Sequence, residues 1–168
     1  MFTLKPLSKD AIPSALAKAE RYRLLNEPGE AESICLDVLQ VDPDNQDALV
    51  TLLLALTDQF PEGSSSKVVG RAAELAGRLT HEYDRAYYSG IIHERRAKAH
   101  LAHGTPGAGG RAYWWLREAM KCFDEADAIR PANNEDARLR WNACARLIDS
   151  NRTIAPIAEE AHEPLLSE

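Results

Sequence analysis

The histidines and cysteines have the side chains best suited to metal binding or nucleophilic catalysis, but their spacing supports neither. His93 and His100 are seven residues apart, about 10.5 Å along a helix, which is too far to share one metal ion. His100 and His103 are close enough, but no third ligand accompanies them. The three cysteines are widely separated, and no serine, cysteine and histidine form a nucleophile motif. We therefore expect a protein that is not an enzyme and that needs neither a metal ion nor a cofactor.

A glycine-rich stretch from Gly104 to Gly110 is the second place where chemistry could occur. Gly104 and Gly109 have the five-residue spacing of a phosphate-binding loop. However, Gly110 and Arg111 occupy the positions where such a loop has its lysine and its serine or threonine, and no predicted strand precedes the stretch. The pattern therefore predicts a hinge or linker here.

Basic and aromatic residues are concentrated between residues 85 and 121. Seven basic and two acidic residues give this segment a local charge of +5, so the remaining residues carry -11 of the net charge of -6. Five tyrosines and tryptophans are interleaved with the basic residues, a composition that suits base stacking and phosphate contact. The acidic remainder argues against this use. Binding of nucleic acid or an anionic surface is therefore one alternative function, and an enzyme with an unrecognised site is a second and weaker alternative. The basic residues are Arg85, Arg95, Arg96, Lys98, Arg111, Arg117 and Lys121.

Within this segment, aromatic and charged side chains recur every three or four residues and predict one strip on a helix. A second strip of small residues, Ala86, Gly90, His93 and Ala97, suits close packing against another helix. The first strip is then free to contact a partner, unless its side chains merely pack their stems on neighbouring helices. The members of the first strip are Tyr87, Ile91, Glu94, Arg95 and Lys98.

Four further residues complete the candidate binding surface. Trp114 and Arg117 are of types enriched at interaction hot spots. Arg138 and Asn142 lie one helical turn apart, so they could share one carboxylate of a peptide. The favoured reading of this last pair is a solvated polar face, because no matching pair is present on the earlier helices.

The elements that position these residues are predicted to be seven helices, because apolar residues recur at intervals of three and four throughout. Residues 1–150 form one all-α domain, and residues 151–168 form an acidic C-terminal tail with four glutamates and no basic residue after Arg152. We expect this tail to lie along the basic segment through Ile157, Leu165 and Leu166. The predicted helices span about 9–26, 29–41, 45–60, 66–81, 83–103, 110–130 and 134–150.

An eight-residue pattern occurs twice, ending in Pro43-Asp44-Asn45 and in Pro131-Ala132-Asn133. Each copy has a small residue, an apolar residue, proline and asparagine at the same spacing, and each closes one helix and opens the next. This pattern resembles the end of the second helix in the tetratricopeptide repeat family, whose unit has 34 residues. The two prolines are 88 residues apart, so about 20 residues are added to two regular units.

The resemblance covers about residues 11–150 and implies stacked antiparallel helix pairs in an α-solenoid. It also implies a concave groove, lined by the first helix of each pair, that binds a peptide or helix of another protein. Leu53 departs from the pattern at a position where the family has a small residue. Exposed end faces of a short stack could also support a homodimer. No apolar run is long enough for a signal peptide or a membrane span, so we expect a cytoplasmic scaffold or adaptor protein.

Overall fold

The computed structural model describes residues 2–61 and 66–156, and every regular element in these ranges is helical. The prediction of an all-α stack of helix pairs is confirmed. The predicted tail falls mainly on residues 157–168, which lie outside the described residues. A 3₁₀ turn, Lys9–Ala11, precedes seven α-helices: α1 (Ile12–Leu24), α2 (Pro28–Val41), α3 (Gln46–Asp58), α4 (Ser66–Gly77), α5 (Glu82–His103), α6 (Ala108–Ala128) and α7 (Asp136–Ser150).

Local sequence accounts for the turns between the early helices. Asn26 has a φ of 61°, which reverses the chain after α1, and Pro28 begins α2, where its missing N–H costs nothing. Asn45 caps α3, since its side-chain oxygen accepts the Ala48 N–H at 3.0 Å. The Asn45 amide also donates to Asp42 at 2.9 Å, which fixes the corner at the Pro-x-Asn pattern.

The turn between α5 and α6 is shorter than the glycine-rich stretch. Gly104 and Gly107 have φ values of 59° and 74°, in the left-handed region that favours glycine. Gly109 and Gly110 already belong to α6, which begins at Ala108. The prediction of a linker reaching Gly110 was therefore wrong, because two left-handed glycines are sufficient to reverse the chain.

Consecutive helices pack as neighbours, and alternate helices also touch. Each of α1, α3 and α5 contacts the helix that follows it, while α7 packs on α6. In addition, α3 contacts both α1 and α5, so these three helices lie side by side. They form one layer of the stack, and α2, α4 and α6 cover its other face.

The core consists of two main apolar clusters. The first joins α1 to α5 and includes Leu53 and Phe60, while the second joins α5 to α7 and includes Leu116 and Phe123. Leu54 and Tyr88 are partly buried and pack against both clusters. Cysteines 35 and 144 are buried, one in each cluster, whereas the third cysteine, at position 122, is half-buried.

The small-residue strip of α5 packs against α6 as predicted. A Cβ atom on Gly90 would lie only 2.5 Å from a ring carbon of Phe123, which is fully buried. Glycine is therefore required for this approach of the two helices. Packing also continues beyond α7, because Ile154 is buried in the second cluster. The packed part of the chain thus extends past residue 150.

Candidate partner-binding groove

A groove of about 710 Å³ runs across the first turns of α1, α3 and α5. Its floor is apolar and is formed by Leu16, Val50 and Tyr88, one residue from each helix, with buried Leu79 beside them. The three helices supply this floor because they lie side by side in the same layer. The groove therefore offers one continuous surface that no single helix could provide.

Three carboxylates stand around this floor. Glu20 and Asp47 are exposed and Asp84 is half-buried, and each comes from a different helix of the groove. Among the described residues, none of the three has a hydrogen bond or an ion pair. Burial, together with the charge of Asp84, raises the pKa of Tyr88 to about 12, so this phenol keeps its proton and can donate a hydrogen bond.

Two helical turns beyond the groove, the same three helices are joined by ion pairs. Arg23 of α1 donates from its Nε to Asp58 of α3 at 2.8 Å, and Arg95 of α5 donates to the other oxygen of Asp58. Arg23 and Arg95 follow the floor residues Leu16 and Tyr88 by seven positions, which returns each side chain to the same helix face. These two ion pairs join α1, α3 and α5 beyond the lining residues of the groove.

A buried carboxylate connects α5 to α7. Glu94 is 1% exposed, and its Oε1 accepts from Lys98 and, at 3.4 Å, from Arg140. Its Oε2 has no partner in the structure. Burial lowers the pKa of Arg140, but the charge of Glu94 and a hydrogen bond from the guanidinium to Tyr87 raise it by more.

The predicted strip on α5 does not face one groove. Arg95 points to α3, whereas Glu94 accepts hydrogen bonds from Lys98 of the same helix and from Arg140 of α7. Ile91 is 1% exposed and belongs to the second cluster. Buried Ile91 and Glu94 thus contact neighbouring helices and offer no surface to a partner.

Tyr87 is also engaged within the chain. Its ring stacks on Tyr83 with a centroid separation of 5.7 Å and packs against Phe123 at 5.9 Å. The neighbouring Tyr88 faces the groove instead. Sequence reasoning missed Tyr88 and Asp84, although Asp84, Tyr88 and Arg95 recur at four and seven residues and could have been grouped.

The remaining candidate residues lie elsewhere. Arg138 forms ion pairs with Asp127 at 3.1 Å and with Glu135 at 2.7 Å, at the corner between α6 and α7. Asn142 is half-buried one turn further along α7, and Trp114 and Arg117 are exposed on α6. The structure therefore does not bring the nine candidates together. They were Tyr87, Ile91, Glu94, Arg95, Lys98, Trp114, Arg117, Arg138 and Asn142.

The described ranges contain neither a metal-binding cluster nor a membrane-spanning helix. Residues 2–61 and 66–156 contain no group of three or more histidines, cysteines or acids arranged to hold a metal ion. No helix among them has the length and apolar character needed to cross a membrane. Comparisons with protein-family models, curated proteins and solved structures found no match to this chain.

Proposed function

We propose that this chain is a non-catalytic protein-interaction module, built like a tetratricopeptide stack, that binds a peptide or helix of a partner in the groove of α1, α3 and α5. One observation carries the proposal. Three carboxylates that have no hydrogen-bond or ion-pair partner within residues 2–61 and 66–156 line the groove beside its apolar floor, and each of the three helices contributes to both features. An exposed concave surface of this kind buries apolar area and adds charge selectivity when a partner binds.

The chemistry of the groove defines the partner. Leu16, Val50 and Tyr88 suit apolar side chains, and the surrounding acids Glu20 and Asp47 suit lysine or arginine. An amphipathic segment presents apolar and charged side chains at such alternating distances. The partner segment is therefore expected to be basic and amphipathic.

The internal contacts of the basic segment favour this function over nucleic-acid binding. Arg95, Lys98 and Lys121 are paired with carboxylates of the same chain. Arg85 donates to the carbonyls of Leu79 and Thr80, and Arg111 donates to Thr105 and to the Pro106 carbonyl. These contacts compete with phosphate for the same donors. Scaffold or adaptor activity through the acidic groove is the better-supported use.

Selection from a random peptide display library tests the proposal. The wild-type chain is expected to enrich peptides that combine lysine or arginine with apolar residues. Asp47→Lys places a positive charge at the rim of the groove and should weaken these peptides about tenfold, which is roughly 1.4 kcal/mol. Fluorescence anisotropy with one enriched peptide measures this change.

Glu30→Lys is the matched control, because Glu30 is also an exposed acid in the first turn of its helix but lies outside the groove. It changes the net charge by the same amount and should leave affinity within about twofold. Failure to enrich any peptide would oppose a peptide-binding role. Equal losses for the two variants would oppose the groove as its location.

A further inference from the structure

A second, smaller cleft lies on the outer side of α6, away from the groove. It has a volume of about 370 Å³ and is mostly apolar. Trp114 is 53% exposed there, and its ring meets the ring of Trp115 edge-on, with 4.3 Å between the two ring centroids. A large exposed indole beside an apolar cleft is typical of a surface that another segment covers. The lining residues are Gly110, Arg111, Tyr113, Trp114, Trp115 and Pro156.

The chain after α7 is directed into this cleft. The side-chain oxygen of Asn151 accepts the Thr153 N–H at 3.0 Å and the Thr153 hydroxyl at 2.8 Å. Thr153 lies so close to α6 that a Cβ on Gly109 would be 1.9 Å from its carbonyl oxygen. Ile154 is then buried, and Pro156 lines the cleft. Pro156, the last described residue, therefore lies at the cleft itself.

Three arginines that have no carboxylate partner among the described residues lie at the cleft or next to its tryptophans in space or in sequence. The Arg96 guanidinium lies 3.8 Å from the centre of the Trp115 ring, and its Nε is buried without a hydrogen-bond partner. Arg117 is exposed on α6. Neither arginine forms an ion pair within the described residues, and the only acceptors of the Arg111 guanidinium are Thr105 and the Pro106 carbonyl.

The next twelve residues have the complementary composition. Residues 157–168 contain four glutamates and no lysine or arginine, together with Ile157, Leu165 and Leu166. The apolar members match Tyr113 and Trp114, and the glutamates match the unpaired arginines. Because the segment is attached at the edge of the cleft, its effective concentration there is high even if each contact is weak.

We infer that residues 157–168 bind the aromatic cleft of their own chain, covering Trp114 with leucine side chains and pairing glutamates with Arg96 and Arg117. The inference does not depend on the groove of α1, α3 and α5, because the two surfaces share no lining residue. The occupied cleft is then closed to other anionic amphipathic segments. A competing partner must displace the chain's own residues.

The indole N–H signals in NMR spectra of the full-length chain test this inference. The Trp114 signal is identified by its loss in Trp114→Phe. A full-length variant with Leu165→Ser and Leu166→Ser should shift the Trp114 signal and raise the exchange of its N–H with water several-fold. Raising the salt concentration should move the wild-type signal in the same direction, because salt screens the glutamate–arginine pairs.

The variant with Leu24→Ser and Leu25→Ser is the matched control, because it removes two adjacent exposed leucines far from the cleft in sequence. Its Trp114 signal should coincide with that of the wild type. An unchanged Trp114 signal in the 165/166 variant overturns the inference. A wild-type signal that depends on protein concentration also overturns it, since the occupant is then a second copy of the chain.

Discussion

Gly90 allows α5 to pack closely against α6, because its side chain is a single hydrogen atom. A methyl group at this position would lie 2.5 to 2.9 Å from three ring carbons of Phe123, which is fully buried. We expect Gly90→Ala to lower the free energy of unfolding by about 1–3 kcal/mol. Urea denaturation followed by circular dichroism measures this loss.

Gly70→Ala provides the comparison, because Gly70 is exposed in α4 with nothing within 4 Å of its missing Cβ. That substitution should raise stability by about 0.5–1 kcal/mol through helix propensity alone. A Gly90→Ala protein that is as stable as the Gly70→Ala protein would contradict the close approach of the two helices.

Glu94 differs from the surface acids because its carboxylate is almost completely removed from water. Glu94→Gln keeps the shape of the side chain but removes the negative charge that Lys98 and Arg140 share. We therefore expect this substitution to lower the free energy of unfolding by about 1–3 kcal/mol. Glu118→Gln disrupts the more exposed pair with Lys121 and should cost less than about 0.5 kcal/mol. Equal costs in urea denaturation would show that burial adds nothing to the Glu94 pairs.

Single residues were predictable where a close neighbour in sequence determines their role. The Asn45 cap follows from capping rules, and the place of Gly90 on a small-residue face of α5 follows from helix periodicity. The Arg95 pair with Asp58 joins positions 37 residues apart, and the Glu94 pair with Arg140 joins positions 46 apart. Such pairs depend on how helices stack, which periodicity does not encode.

The helix α5 shows why the existence of a helix is easier to predict than the neighbours that its faces contact. Periodicity identifies which residues share a face, but α5 is surrounded by α3, α4, α6 and, through Glu94, by α7. One strip therefore divides among several neighbours. Tyr87 and Glu94 contact Arg140 of α7. In contrast, Tyr88 lines the groove and Arg95 pairs with Asp58 of α3. The candidate site could not be located without the order in which helices pack.

The contact between α5 and α6 also makes the fold sensitive to pH. The His93 ring stacks on the Trp115 ring, with 5.2 Å between the two centroids. Burial lowers the pKa of His93; the charge of Glu118 opposes this lowering, and the charge of Arg96 adds to it. Below the ordinary histidine pKa of about 6.5, the unfolded chain therefore binds a proton more readily than the folded one. The contribution of His93 to stability should therefore be fully present above about pH 6.5 and should be lost progressively as the pH falls below this value.

Denaturation with urea across this range measures the pH slope. His93→Gln removes the titrating ring and should make the pH dependence of stability shallower. Part of the dependence should remain, because burial also lowers the pKa of His100. The control is His81→Gln, at an exposed position before α5. Equal slopes in the wild-type and His93→Gln proteins would refute a role for His93.

At the scale of the whole molecule, the two longest of the described helices lie between the two Pro-x-Asn corners. The helices α5 and α6 have 22 and 21 residues, against 12 to 14 residues in each of α1 to α4. The long hairpin of α5 and α6 gives the second cluster its own core. The core thus has two halves that share α5, and Leu54 and Tyr88 pack against both of them.

Leu54→Ala is expected to weaken the coupling of these halves, because quasi-one-dimensional stacks depend on their interfaces. All three tryptophans lie on α6 and α7, so their fluorescence reports the second half, whereas circular dichroism reports all helices. In Leu54→Ala the two urea midpoints should separate. In Leu56→Ala, which alters the first cluster alone, they should shift without a comparable separation. Coincident midpoints in Leu54→Ala would argue for one indivisible core.

The buried cysteines give these halves a chemical readout. Burial raises the pKa of Cys35 and of Cys144 to about 12, and only a thiolate reacts readily with an alkylating or disulfide reagent. Each thiol is therefore labelled only after its own half opens. Replacing half-buried Cys122 by alanine leaves one thiol in each half. The rates of modification of Cys35 and Cys144 then report how fast each half opens, independently of the other.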